Sequence, residues 1–121
     1  MIGLSFKAGT DDLRESPLVV MAERFIGKGL DLRVFDPEVN ISRLIGANRR
    51  YIEESIPHIA SLMGERCEDV IDASRVLVVA LRSEAVVRAL QERCRPDHVI
   101  VDLVRLPDRA QLRGAYRGVC W

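Results

Sequence analysis

The residues from Lys7 to Pro17, KAGTDDLRESP, put two cations, three acids and two hydroxyls into eleven positions. Lys7 is a flexible point charge, suited to an alkoxide or carboxylate oxygen. Arg14 offers a planar fork of N–H donors for phosphate or amide oxygens. Asp11 and Asp12 can hold these cations in place, favour the start of a following helix through its dipole, or simply be solvated. Ser16 fits a helix N-cap and Pro17 the first helical position. Gly9 supplies a backbone bend.

The elements around this stretch explain how it could be presented. Ile2-Gly3-Leu4-Ser5-Phe6 is a short apolar run that reads as a strand. From Pro17 to about Lys28, Leu18, Met21, Ala22, Phe25 and Ile26 recur at helical spacing, with Gly29 placed as a C-cap. Leu30 to Phe35 alternates as a second strand and closes on Asp36-Pro37. A strand, a helix and a strand within about 35 residues make a right-handed parallel βαβ unit. Phe6 to Pro17 is then the loop from the carboxyl end of a strand to the start of a helix, where open α/β sheets bind ligands.

Beyond Asp36 the pattern predicts short helices over 39–45, 49–55 and 65–73, the last with Val70 and Ile71 facing in. Pro57 breaks the pattern between the second and third. Arg75 to Leu81 is a buried parallel strand. Ser83 caps a helix to about Arg93, with Ala85, Val86, Ala89 and Leu90 on one side, and Pro96 stops it. His98 to Leu103 is a further strand, and a last one lies between Leu112 and Trp121. The order describes an α/β, Rossmann-like, doubly wound domain with a mainly parallel sheet and helices on both faces. The abrupt apolar start at Met1 predicts a single domain, 1–121, that is N-terminally truncated relative to a larger protein.

Composition narrows the function. Lys plus Arg and Asp plus Glu are both 18, for a net charge of zero, which argues against binding nucleic acid or acidic membranes by bulk charge. The hydrophobic fraction is 48%, yet no run is long enough to span a bilayer, and no secretory signal is visible. Cys67, Cys94 and Cys120 are odd in number and widely spaced, which indicates neither a zinc site nor a disulfide framework, and fits a reducing cytoplasmic setting. His58 and His98 lack neighbours in metal register, so no metal site is expected.

The dinucleotide fingerprint GxGxxG is absent. Asp36 ends the second strand, where a Rossmann domain places its ribose-binding acid, but without the glycines Asp-Pro is an ordinary turn signal. A receiver domain would share the acidic pair at Asp11-Asp12. It would also need an aspartate closing its central strand, and here that strand runs into Arg82. From the residues alone, the chain is a ligand-binding α/β domain whose site includes the loop from Lys7 to Arg14.

GLSFKAGTDDLRESP resembles the opening of the C-terminal domain of the UDP-glucose/GDP-mannose dehydrogenase family, with FKxGTDDxRxSP the specific string. The similarity continues through Leu30 to Asp36, Gly46-Ala47-Asn48, Tyr51-Ile52-Glu53, Ile56-Pro57-His58 and Cys120-Trp121. The resemblance implies the nucleotide-sugar-binding domain of an enzyme that oxidises a sugar C6 alcohol to a carboxylate with NAD. Its substrate would be GDP-mannose in preference to UDP-glucose, and the complete enzyme a homo-oligomer. It implies that Lys7 contacts substrate near the oxidised carbon and that Arg14 reaches an NAD bound mainly by a separate N-terminal domain. It places no catalytic residue in this chain. A stand-alone Rossmann-like nucleotide-binding or interaction module without enzymatic activity is the alternative.

Overall fold

The computed structural model describes residues 1–5, 7, 9–39, 46–55 and 57–119. Among the described residues five α-helices are formed: α1 (Pro17–Gly27), α2 (Gly46–Ser55), α3 (Ile59–Leu62), α4 (Cys67–Ala73) and α5 (Glu84–Arg93). Three strands, β1 (Val76–Val79), β2 (Val99–Asp102) and β3 (Ala115–Gly118), pair in parallel in that order, with Val76 opposite Val99 and Val99 opposite Ala115.

Single bridges extend this sheet. Ile2 bridges Val79 on one side and Phe35 on the other, and Val34 bridges Met63, all in parallel. The backbone bonds Ile2 N–H to Val78 (2.8 Å) and Gly3 N–H to Phe35 (2.7 Å) hold the two central rows. Numbering the six segments along the chain gives the spatial order 3-2-1-4-5-6, the doubly wound order. The order reverses between the Ile2 segment and β1, and the outer carboxyl edge at that reversal is where such sheets bind ligands.

Alternation along the strands separates two cores. On one face Met1, Leu4, Val34 and Leu32 pack with Val19 and Ala22 of α1 and Ile52 of α2. On the other, Ile2, Leu77, Val79 and Ile100 pack with Ile71 of α4 and Val86, Ala89 and Leu90 of α5. Helices therefore cover both faces, as the sequence predicts.

Some boundaries differ from the expected ones. The first strand contracts to the Ile2 bridge because Gly3 turns to φ +101°, and a Cβ there would lie 2.9 Å from the Leu81 Cβ. The second contracts to Val34–Phe35. Leu30 is 55% exposed, since its N–H still closes the end of α1 on the Phe25 carbonyl (3.1 Å). Ala85 is exposed rather than packed, on the first turn of α5. The helix expected over 39–45 falls on residues 40–45, outside the described ones, as do Ile56, Cys120 and Trp121.

Candidate functional site

Three groups anchor the loop after Ile2 to the sheet. Leu13 is fully buried in the first core and pins the middle of an otherwise polar segment. Ser16, also fully buried, donates its hydroxyl to the Leu4 carbonyl (2.8 Å) and accepts from Leu18 N–H (3.3 Å), so one side chain caps α1 and ties it to the first segment. Asp36 is 4% exposed, and its carboxylate accepts from Leu4 N–H (2.8 Å), Ser5 N–H (2.9 Å) and Glu38 N–H (3.0 Å). It occupies the ribose-acid position of the fold, yet it faces inward as a backbone brace.

The chemistry then sits on the outside of a fixed frame. Asp12 accepts from Arg14 through Nε (3.0 Å) and Nη2 (3.1 Å), and from its backbone N–H (3.1 Å). The Arg14 side chain foremost, then its backbone N–H, hold the Asp12 carboxyl below the usual range, and the Lys7 charge acts in the same direction. Asp12 in turn raises the pKa of Arg14. The expected pairing of an aspartate with a loop cation is therefore formed, by Asp12. Arg14 keeps the N–H groups of Nη1 pointing away from this fork. Lys7 is exposed at the other end of the loop.

Non-glycine residues with positive φ occur among the described residues only at Glu15 (57°), Arg105 (56°) and Asp108 (50°), all in loops leaving the carboxyl edge of the sheet. Such strain concentrates where a loop is held for a purpose. Asp102, fully buried at the end of β2, organises the second of these loops: it accepts from Val104 N–H (2.8 Å), Leu106 N–H (2.6 Å) and the Tyr116 hydroxyl. Arg82, leaving β1, donates to the Arg105 carbonyl (3.3 Å). Asp102 and Arg82 escaped the sequence reading of the site. An acid closing an apolar strand was the available signal for Asp102.

Two hollows open along this edge. One of about 480 Å³ lies between α5 and the loop after β2, with Arg82, Arg88 and Asp108 on its walls. The other, about 250 Å³, is bounded by Phe35 and Pro37, by the start of α4 and by the start of α5. Among the described residues no group of three or more His, Cys, Asp or Glu is placed to hold a metal ion. No described helix is long and apolar enough to cross a membrane.

This arrangement agrees with what the chain is similar to. The model of the UDP-glucose/GDP-mannose dehydrogenase family, UDP binding domain, matches residues 1–109. The chain belongs to this family. It is 47% identical to a GDP-mannose 6-dehydrogenase of Pseudomonas savastanoi pv. phaseolicola, over 100% of this chain and 28% of that protein. It is 46% identical to the GDP-mannose 6-dehydrogenase of Pseudomonas aeruginosa, over 100% of this chain and 27% of that protein. A crystal structure of a ternary complex of GDP-mannose dehydrogenase from Pseudomonas aeruginosa superposes with a TM-score of 0.81 at 45% identity, covering 99% of this chain and 27% of that one. The chain thus spans just over a quarter of the length of these relatives. As a member of the dehydrogenase family it carries Lys7 and Arg14 on the loop at the reversal point of the sheet, with the Asp36 carboxylate turned inward to the Leu4 and Ser5 N–H groups.

Proposed function

We propose that this chain is the nucleotide-sugar-binding domain of an NAD-dependent GDP-mannose 6-dehydrogenase, a cytoplasmic homo-oligomer that oxidises the sugar C6 alcohol to a carboxylate. The observation that carries this reading is the position of the Lys7–Arg14 loop at the reversal of strand order, braced from beneath by Ser16 and Asp36. Similarity over the whole chain to GDP-mannose enzymes, against 42% of the chain for a UDP-glucose 6-dehydrogenase of Pseudomonas aeruginosa, supports GDP-mannose over UDP-glucose.

Lys7 stabilises negative charge that develops on the sugar oxygen. Arg14 reaches the cofactor with the donors that Asp12 leaves unused, which suits a phosphate or amide oxygen. The main NAD site belongs to another domain: this chain has no glycine fingerprint, and its only ribose-acid candidate, Asp36, accepts three backbone N–H bonds. NAD, when bound, supplies the hydride acceptor.

The test is Lys7→Ala and Arg14→Ala in the complete enzyme that carries this domain, with kcat and KM measured for both substrates. Lys7→Ala should lower kcat by roughly 100-fold, about 2.7 kcal/mol of transition-state stabilisation. Arg14→Ala should raise the KM for NAD with less effect on kcat. Identical behaviour of the two variants, or an unchanged Lys7→Ala enzyme, makes the loop structural and overturns the division of roles.

A further inference from the structure

We infer that the hollow between α5 and the loop after β2 binds a small phosphorylated sugar of the hexose phosphate class. The inference goes beyond the proposed function and does not rest on it, since none of the described lining residues belongs to the Lys7–Arg14 loop.

One wall is a face of α5. Glu84, Val87, Arg88 and Gln91 recur at i, i+3, i+4 and i+7, away from the Val86, Ala89 and Leu90 that α5 buries in the second core. The facing wall, Pro107-Asp108, is held in place without a ligand. Leu106 before it is 4% exposed and donates its N–H to Asp102, and Gln111 N–H closes on the Asp108 carbonyl (2.8 Å) behind it. Arg82 links the loop after β1 to the loop after β2 through the Arg105 carbonyl (3.3 Å). The volume of about 480 Å³ suits a small molecule.

The charges lining this hollow are left open. Glu84 stands one turn before Arg88, the order that favours an ion pair on a helix. Yet among the described residues Glu84, Arg88 and Asp108 enter no ion pair, and Arg82 contacts a carbonyl instead of an acid. Two guanidinium groups without carboxylate partners match a phosphomonoester dianion, which each can grip with a planar fork. The two carboxylates and the Gln91 amide oxygen accept from hydroxyls, and Val87 with Pro107 offers an apolar patch for the ring. Balanced cations and anions on the walls disfavour a polyanion such as nucleic acid. No aromatic side chain is among the described residues that line the hollow, so a nucleotide base has nothing to stack on. One phosphate joined to a ring of hydroxyls answers both kinds of group.

NMR titration of the isotope-labelled 13.6 kDa chain tests this with glucose 6-phosphate, mannose 6-phosphate, free mannose, inorganic phosphate and GDP-mannose. At least one hexose phosphate should move the signals of Val87, Arg88, Gln91 and Asp108 with a Kd of about 1 mM or tighter, and leave the Lys7–Arg14 loop still. Free mannose and inorganic phosphate should each bind roughly 10-fold more weakly, since each makes part of the contacts. Arg88→Gln, a change to another good helix former at an exposed site, should weaken the hexose phosphate roughly 10-fold. Asp108→Gly keeps the positive φ of this position (50°), and should weaken the hexose phosphate without weakening inorganic phosphate. Inorganic phosphate binding as tightly as the hexose phosphates overturns the sugar assignment. GDP-mannose moving Val87 and Gln91 at lower concentration than the hexose phosphates makes the hollow part of the nucleotide-sugar site and overturns the inference as well. If neither hexose phosphate moves Val87 or Gln91 below about 10 mM, the inference falls, while the proposed function is read separately from the response of the Lys7–Arg14 loop to GDP-mannose.

Discussion

His98 shows how one side chain can make a fold sensitive to acid. It is fully buried at the start of β2, with Nδ1 accepting from Arg95 N–H (3.1 Å) and Nε2 without a partner of good hydrogen-bond geometry among the described residues. Burial lowers its pKa, with Arg95 adding to the effect, against the opposing influence of Asp97, Asp72 and the Ser74 backbone. Below the ordinary value near 6.5, the unfolded chain binds a proton that the folded chain refuses. Stability is therefore complete above that value and falls as the pH drops toward the lower folded pKa, by at most about 1.4 kcal/mol per pH unit. Urea unfolding at pH 7.5 and 5.5 should show a larger loss for the parent than for His98→Asn, which keeps an acceptor but cannot titrate. Equal losses would remove His98 as the cause. Residues of this kind are readable as types and unreadable as environments. Two histidines stand in the sequence without metal neighbours, yet only the packing of Arg95, Ser74 and Gly114 around one of them makes it a titrating core group. Asp36 is the sharper case, since its position suits ribose and its burial turns it to the backbone.

At the scale of elements, what depended on neighbours in the chain was visible in advance. Ser16-Pro17 marks the start of α1 because both capping and the proline preference act within one turn. Ser83 marks α5 in the same way, accepting from Val86 N–H (3.2 Å). The tie from Ser16 to Leu4 was hidden, because it joins residues twelve apart across the loop. Ser16→Ala loses the cap and leaves a buried carbonyl unpaired, and should cost about 2 kcal/mol in urea unfolding; a change under about 0.5 kcal/mol would mean that Leu13 alone anchors the loop. Asp102 joins β2, β3 and the intervening loop through three donors, none predictable from spacing, because the loop's path is set by Arg105 and Asp108 at positive φ. Asp102→Ala strands those donors and should cost about 3–5 kcal/mol, whereas Tyr116→Phe removes one of them and should cost about 1 kcal/mol. Comparable losses from the two variants would show that the Asp102 backbone contacts carry no stability of their own.

On the proposed reading, the molecule as a whole binds a nucleotide sugar that it does not itself oxidise. The pairing of strands, which sets the site at one reversal point, was not visible in the sequence, because the contacts of Ile2 with Phe35 and Val79 and of Val34 with Met63 are single bridges with no run of residues to betray their partners. A dehydrogenase of this kind needs a hydride acceptor site and a group that carries the reaction from alcohol to acid. Cys67 and Cys94 are buried, and burial foremost pushes their thiols up to about 12 and about 11. Both thiols are therefore held in the neutral form, which is a poor nucleophile. Asp36 is committed to the backbone, and the loop after Ile2 carries charged side chains where a dinucleotide domain has glycines. On the proposed reading, Lys7 and Arg14 hold a ligand whose oxidation is carried out by another domain. The 121-residue chain incubated with GDP-mannose and NAD should produce no NADH absorbance above background, while titration calorimetry with GDP-mannose gives a Kd of roughly 0.1 mM or weaker, about −5.5 kcal/mol, because one wall of a cleft supplies part of its contacts. Steady turnover by the pure chain would mean that one of its own residues, despite these surroundings, carries the oxidation. Binding tighter than 1 μM, on the order of −8 kcal/mol, would make the domain a complete receptor for its nucleotide sugar.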